Sequence, residues 1–190
     1  MNRQEKARRF ELTIMPHLDA AYNLARWLTR SESDAEDVVQ EACLRAFKYF
    51  DGFAGENPSA WLLAIVRNSC FTWLRRNRPA NEIADSDAID EQDAAGIAEP
   101  LLSGGSRRLA SDPESFLIAR RDGERVRALV AELPAEYREV IVLREIEELS
   151  YQEIAEIAAV PIGTVMSRLS RARKRLQDAW QRNTREGEQR

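Results

Sequence analysis

The segment Leu149–Leu176, LSYQEIAEIAAVPIGTVMSRLSRARKRL, decides how this chain is read. Two short helical patterns flank AAVP, and the second closes on a run of arginine. Advancing about 100° per residue from Val165 gathers Leu169, Ala172 and Leu176 on one side of the second helix, which predicts a core-facing stripe. Thr164, Ser167, Ser170, Arg171 and Lys174 collect opposite, with Arg168 and Arg175 on one flank and Met166 and Arg173 on the other. Arginines among short hydroxyl side chains suit a DNA groove. Arginine reaches phosphates or binds guanine through two hydrogen bonds, and small neighbours let the helix come close. The amides near Ile162 and Gly163 are placed to meet a phosphate. A solvated basic face on an ordinary helix gives the same charge run. The preceding pattern favours the first reading: Tyr151 to Ala158, the AVP turn and the basic helix have helix-turn-helix spacing, with Ile154, Ala155 and Ile157 available to hold the pair at its angle.

The rest of the chain sets limits. Its 190 residues are 44% hydrophobic and 32% charged with 8 Gly and 7 Pro, which suits a mainly helical protein with one domain or two small ones. The net charge of -4 does not call for a polyanion, so the clustering of Arg168, Arg171, Arg173, Lys174 and Arg175 is a local device. Cys43 and Cys70 are too few and too far apart for a disulfide framework and read as buried thiols in a reducing compartment. MNRQEKARRFELTIM lacks the apolar run of a signal peptide, and no window approaches the roughly 18 apolar residues of a membrane span. A cytoplasmic protein without membrane insertion is expected. His17 stands alone, and no Ser/His/Asp set, phosphate loop or metal-ligand cluster appears, so no catalytic residue, metal or cofactor is expected and the chain does not read as an enzyme.

The organisation predicted is all-α: two small helical domains, residues 5–78 and 112–182, joined by a flexible acidic linker over 79–111. In the first, Ser33 and Glu36 form a capping-box pattern opening a helix that runs to about Phe50. The loop in DGFAGENPSAW precedes a helix with Pro58 in its first turn, ending near Arg78. In the second, Asp112 and Pro113 open a helix to about Leu133, Pro134 starts another through AEYREVIVLREI, and Ser150 with Glu153 forms a second capping box. On the helix from Asp34 to Phe50, Ala35, Val38, Val39, Ala42, Ala46 and Phe50 face a core. Asp37, Gln40, Glu41 and Lys48 lie opposite, around Leu44. One exposed leucine is ordinary, and one framed by polar groups is also the pattern of a protein interface; both readings stand from the residues alone. Trp61, Phe71 and Trp73 read as core, or with Arg75, Arg76 and Arg78 as a holder of single-stranded nucleic acid.

The segments DAEDVVQEACLRAF, NPSAWLLAIVRNSCFTWLRRNR and LPAEYREVIVLREIEELSYQEIAEIAAVPIGTVMSRLSRARKRL, with the acidic stretch between the last two, resemble the extracytoplasmic-function sigma factors of bacterial RNA polymerase in order and spacing. That resemblance implies sigma region 2, which binds the polymerase clamp and opens the minus-ten element, and sigma region 4, which reads the minus-thirty-five element. Asp37, Gln40 and Glu41 match positions that dock on the β′ clamp, which places Leu44 in an interface. The loop from Phe53 to Ser59, including Glu56 and Asn57, matches the one that captures a flipped base, and Trp61, Arg67, Asn68, Arg75 and Arg76 fall on the same minus-ten surface. Met166, Ser167, Ser170 and Arg171 match positions facing base edges, Arg168 and Arg173 match phosphate positions, and Thr164 and Lys174 share that surface. The implied partners are core polymerase through its β′ clamp and β flap, promoter DNA, and an anti-sigma factor. The sequence departs from the family in three places: Ala159 stands where glycine is frequent, Met166 where a basic residue is common, and the base-capturing loop is slightly short. After Trp180 only a polar tail is left, so no appended sensor domain is expected. A stand-alone helix-turn-helix regulator is the alternative, and it leaves Leu44 and its polar frame without a use. An adaptor protein leaves the basic helix without one.

Overall fold

The computed structural model describes residues 3–55, 57–77 and 113–188, with side chains for 123–183 of the last stretch. The expectations for Glu56, Arg78, the linker and Asp112 lie outside the described residues. Among those described there are eight α-helices and no strand. Helices α1 (Arg3–Ile14), α2 (Leu18–Thr29), α3 (Glu32–Tyr49) and α4 (Pro58–Asn77) form a bundle around Leu24, Leu28, Val38, Ala42, Leu62, Leu63 and Val66. The six core-facing positions predicted for this helix turn inward, Val39 only partly and Phe50 from the short 3-10 turn just after α3, while Asp37, Gln40, Glu41, Leu44 and Lys48 face solvent.

The start of α3 differs from the predicted one. Arg30 ends α2 in the left-handed region, at φ 61°, and leaves Ser31 extended. Ser31 therefore lies over the free amides of α3 and its Oγ accepts from the Asp34 amide, so Ser31 rather than Ser33 is the cap and Glu36 takes no part.

The second group comprises α5 (Pro113–Glu132), α6 (Ala135–Ile141), α7 (Tyr151–Ala158) and α8 (Ile162–Glu188). A single helix is predicted through AEYREVIVLREI. Instead α6 widens at Val142–Ile146 into a π-helical turn, which closes with the Glu147 amide on the Val142 carbonyl at 3.1 Å. The capping box at Ser150 forms as predicted: the Glu153 amide donates to Ser150 Oγ at 3.2 Å, and the Ser150 amide donates to Glu153 Oε2 at 2.8 Å. Ala159 ends α7 at φ 55° and ψ 45°, the left-handed geometry that glycine would adopt without a Cβ penalty. That turn lays α8 across α7 with Val165, Leu169 and Ala172 buried against Ile154 and Ile157, so the predicted core stripe is the observed one.

The two groups share a continuous apolar core, with α4 against α7 and α2 against α6. Arg138 of α6 is wholly buried at this junction. Its Nη1 donates to the carbonyls of Ala131 at 2.6 Å and Leu133 at 3.1 Å, and its Nη2 donates to that of Leu28, at the end of α2, at 3.3 Å. One buried guanidinium thus caps the last turns of two helices.

Ala159→Gly should raise stability by about 1 kcal/mol, because a non-glycine residue in the left-handed region costs about 1–2 kcal/mol and the added freedom of the unfolded chain returns part of that gain. A thermal melt should show a rise of a few degrees; a fall would mean that the turn is not strained.

Candidate polymerase and promoter interfaces

Helix α3 owes its solvent face to spacing alone: once Ala35, Val38, Ala42 and Ala46 are buried, Asp37, Gln40, Glu41 and Leu44 must point outward. Leu44 is 68% exposed, and Glu41 pairs with Arg45 one turn on. A large apolar side chain ringed by polar groups on a rigid helix has the anatomy of an interface centre.

On α4 and the loop before it, the predicted minus-ten residues form two groups. Phe53 and Trp61 are half-buried, with ring centroids 4.9 Å apart, and Phe50 lies beneath them. The tryptophan and Phe71 therefore pack against the core and still offer an edge outward. Asn57 caps α4, its Oδ1 accepting from the Ala60 amide at 3.0 Å. One to three turns further along α4, Arg67 stacks on Phe71 at 4.2 Å and donates to Asn68 Oδ1 at 3.2 Å. Asn68, Arg75 and Arg76 are exposed.

Neither Asn57 nor Arg67 is free for a ligand in this arrangement. Asn57 Nδ2 donates to Glu153 Oε1 of α7 at 3.1 Å, and Arg67 Nε donates to Glu139 Oε1 of α6 at 2.7 Å. Hydrogen bonds from the Ser150 amide and hydroxyl hold the Glu153 carboxyl below the usual range. Complete burial pushes the Glu139 carboxyl upward against the opposing pull of Arg67. Burial, with the Glu139 carboxylate adding to it, pushes the Cys70 thiol up to about 12. Neither carboxylate contact is readable from helical period, because the partners are 72 and 96 residues apart. The one signal was the Arg138–Glu139 dipeptide inside the otherwise apolar run that follows Tyr137.

Helix α8 presents Met166 and Lys174 to solvent, and Thr164, Ser167, Ser170 and Arg171 are half-exposed. The Ser167 hydroxyl donates to the Thr164 carbonyl at 3.0 Å. Arg168 is mostly covered, 3.7 Å from Glu136. Arg173 requires a correction: it is not a flank residue open to phosphates but is buried, donating to Glu145 Oε1 at 2.8 Å. The reason is the π-helical turn, which brings Glu145 to face α8 where a regular helix would have carried it elsewhere. Arg173 anchors the helix whose neighbours face outward.

The family model for sigma-70 region 2 matches residues 13–80, and that for sigma-70 region 4 matches residues 123–176. The ECF RNA polymerase sigma-E factor of Escherichia coli K12 is 37% identical over 142 residues, covering 74% of this chain and 71% of the relative. The ECF RNA polymerase sigma factor SigE of Mycolicibacterium smegmatis is 31% identical over 165 residues, 87% of this chain and 59% of the relative. Among solved structures, the sigma factor RpoE of Bartonella quintana, in complex with the anti-sigma factor NepR, is similar with a TM-score of 0.63 and 30% identity, covering 91% of this chain and 97% of that one. CnrH, in complex with the cytosolic domain of CnrY, is similar with a TM-score of 0.59 and 25% identity, covering 95% and 90%. The chain belongs to the extracytoplasmic-function sigma factors of the sigma-70 family.

Arg173→Ala should lower stability by about 3–5 kcal/mol, since it strands the Glu145 carboxylate in the interior. Replacing both partners with apolar residues should cost less than either single change. Urea unfolding monitored by circular dichroism checks the order; an Arg173→Ala protein of unchanged midpoint would return this arginine to the DNA surface.

Proposed function

We propose that this chain directs promoter-specific initiation as a dissociable subunit of bacterial RNA polymerase, docking on the β′ clamp through Leu44, Asp37, Gln40 and Glu41. Residues 5–78 and 112–182 serve as its two working domains and 79–111 as the connector between them. The reading rests on one observation above all. Helix α8 is seated by Val165, Leu169 and Ala172 so that Met166, Ser170, Arg171 and Lys174 are left on the outside of a helix-turn-helix.

In this reading Arg171 reads a base edge of the minus-thirty-five element, with Thr164, Met166, Ser167 and Ser170 allowing close approach, and Arg168 and Lys174 meet phosphates. Phe53, Asn57, Trp61, Arg67 and Asn68 take the separated strand of the minus-ten element, and Arg75 and Arg76 follow its backbone. The β flap is the second polymerase contact, through region 4. An anti-sigma protein is the expected antagonist, in line with the complexes of the similar structures. None of the helices among the described residues is long and apolar enough to cross a membrane, and the proposed place of action is the cytoplasm, with the polymerase. The chain supplies recognition and strand capture; bond formation belongs to the polymerase core.

Transcription with purified core polymerase tests the whole: adding this chain alone should produce promoter-dependent initiation, whereas a stand-alone regulator would produce none. Leu44→Ala and Asp37→Lys should each weaken core binding by about 1–3 kcal/mol in a titration, with helicity unchanged. Arg171→Ala should cost about 1–3 kcal/mol on the preferred promoter and relax preference at one or two adjacent positions, measured with holoenzyme on promoter variants. A uniform loss on all promoters would reduce Arg171 to an electrostatic anchor.

A further inference from the structure

The Phe53–Trp61 pair, which the proposed function assigns to the separated strand, is braced from outside α3 and α4. Helix α1 supplies the brace, and its residues 3–12 precede the segment that the sigma-70 region 2 model matches. Phe10 of α1 packs edge to face against Phe47 of α3 at 5.3 Å and against Phe50, just after α3, at 5.2 Å. Phe50 in turn stacks beneath Phe53, with ring centroids 6.1 Å apart. One turn earlier on α1, Lys6 spans the same junction from its polar side. Its Nζ donates to Asp51 Oδ2 at 2.6 Å and to the Lys48 carbonyl at 3.4 Å, and lies 5.1 Å from the centre of the Phe47 ring. Lys48 is in the last turn of α3, where carbonyls lack helical partners and favour a cation, and Asp51 is in the 3-10 turn Phe50–Gly52 that follows. One ammonium therefore joins the end of α3 to the turn that delivers Phe53.

We propose that Lys6 is a positioning residue for strand capture: paired with Asp51, it fixes the turn from which Phe53 projects and so sets the angle that the Phe53–Trp61 pair presents to an unstacked base. The inference rests on the minus-ten reading of Phe53 and Trp61. The Phe53 ring has little latitude of its own. The Phe53 amide donates to the Phe50 carbonyl at 3.0 Å, and the Trp61 ring lies 4.9 Å away. A Cβ on Gly55 would stand 3.1 Å from Phe53 Cε2, so the returning loop passes close over the ring. A displacement of the turn is thus passed on to the ring, with no room for a rotamer change to absorb it. For folding, the ion pair does little: the Asp51 side chain is 60% exposed, and pairs so open to water are weak. What the pair fixes is where a ring plane lies, and stacking on a base depends on that.

The test uses the full chain carrying Lys6→Met, which keeps an apolar stem over Phe47 and removes the charge. Without DNA, amide hydrogen exchange over residues 50–53 should quicken about tenfold, with helicity unchanged. Bound to core polymerase with unchanged affinity, Lys6→Met should open the preferred promoter about tenfold less well, a loss in the range of one base stack. Base dependence is the readout that a merely structural role would not move. In a promoter series with one abasic non-template position at a time across the minus-ten element, one position should cost the unaltered holoenzyme most, and there Lys6→Met should add little further loss. Lys6→Arg should behave as the unaltered chain. Asp51→Ala should reproduce the defect, and combining it with Lys6→Met should add nothing, because the two substitutions remove one contact. Unchanged exchange overturns the proposal, and so does an opening defect of equal size on intact and abasic promoters. Should Lys6→Met lose helicity, Asp51→Ala decides: lost base dependence supports the brace, and full base dependence overturns it. Trp61→Ala tests the underlying reading separately, since full base dependence in that holoenzyme would remove the aromatic pair from strand capture whatever the exchange over 50–53 shows.

Discussion

Two adjacent residues of α6, Arg138 and Glu139, put opposite charges into the interior where the two helix groups meet, and the arrangement of everything around them follows. Arg138 donates to the Leu28 carbonyl near the end of α2 and to the Ala131 and Leu133 carbonyls at and just after the end of α5. Glu139 has its partner on α4, in the other group. Every residue from Tyr137 of α6 to Leu143 of the π-helical turn is buried, a run that ordinarily demands apolar side chains, and Tyr137, Val140, Ile141, Val142 and Leu143 comply. The two exceptions are the positions that specify which surface meets which. Apolar burial supplies most of the attraction at the junction, and the Arg67–Glu139 and Arg138–Leu28 contacts cross it.

That division explains what could be read in advance. Elements with their own local grammar were legible: the capping box at Ser150, the inward stripe of Val165, Leu169 and Ala172, and the outward position of Leu44 all follow from period and cap chemistry. The shift of the α3 cap to Ser31 was hidden because it depends on Arg30 adopting a left-handed conformation, which arginine shows no local preference for. The contacts of Arg67 and Asn57 were hidden for a different reason. Both residues have sensible local readings, and their carboxylate partners lie on the far side of the connector in sequence. Arg173 shows the limit of a helical wheel most directly, since angular position on α8 could not say that a neighbouring helix would bring a carboxylate to meet it.

The resulting α8 has two kinds of arginine on one helix. Arg173 serves the scaffold, Arg168 lies near Glu136, and Arg171 and Lys174 stay on the outer side. Counting basic residues therefore overstates the charge available to a polyanion, which fits a protein whose overall balance is acidic.

The π-helical turn at Val142–Ile146 has a consequence for how this chain can vary. It works as a change of reading frame in the helix: one extra residue is accommodated, and every side chain after it is rotated relative to the α-helical count. Loss of a single residue there would reset the frame, swing Glu145 away from Arg173 by roughly the 100° helical step, and move the start of the helix-turn-helix with it. In this segment the number of residues is constrained as well as their identity.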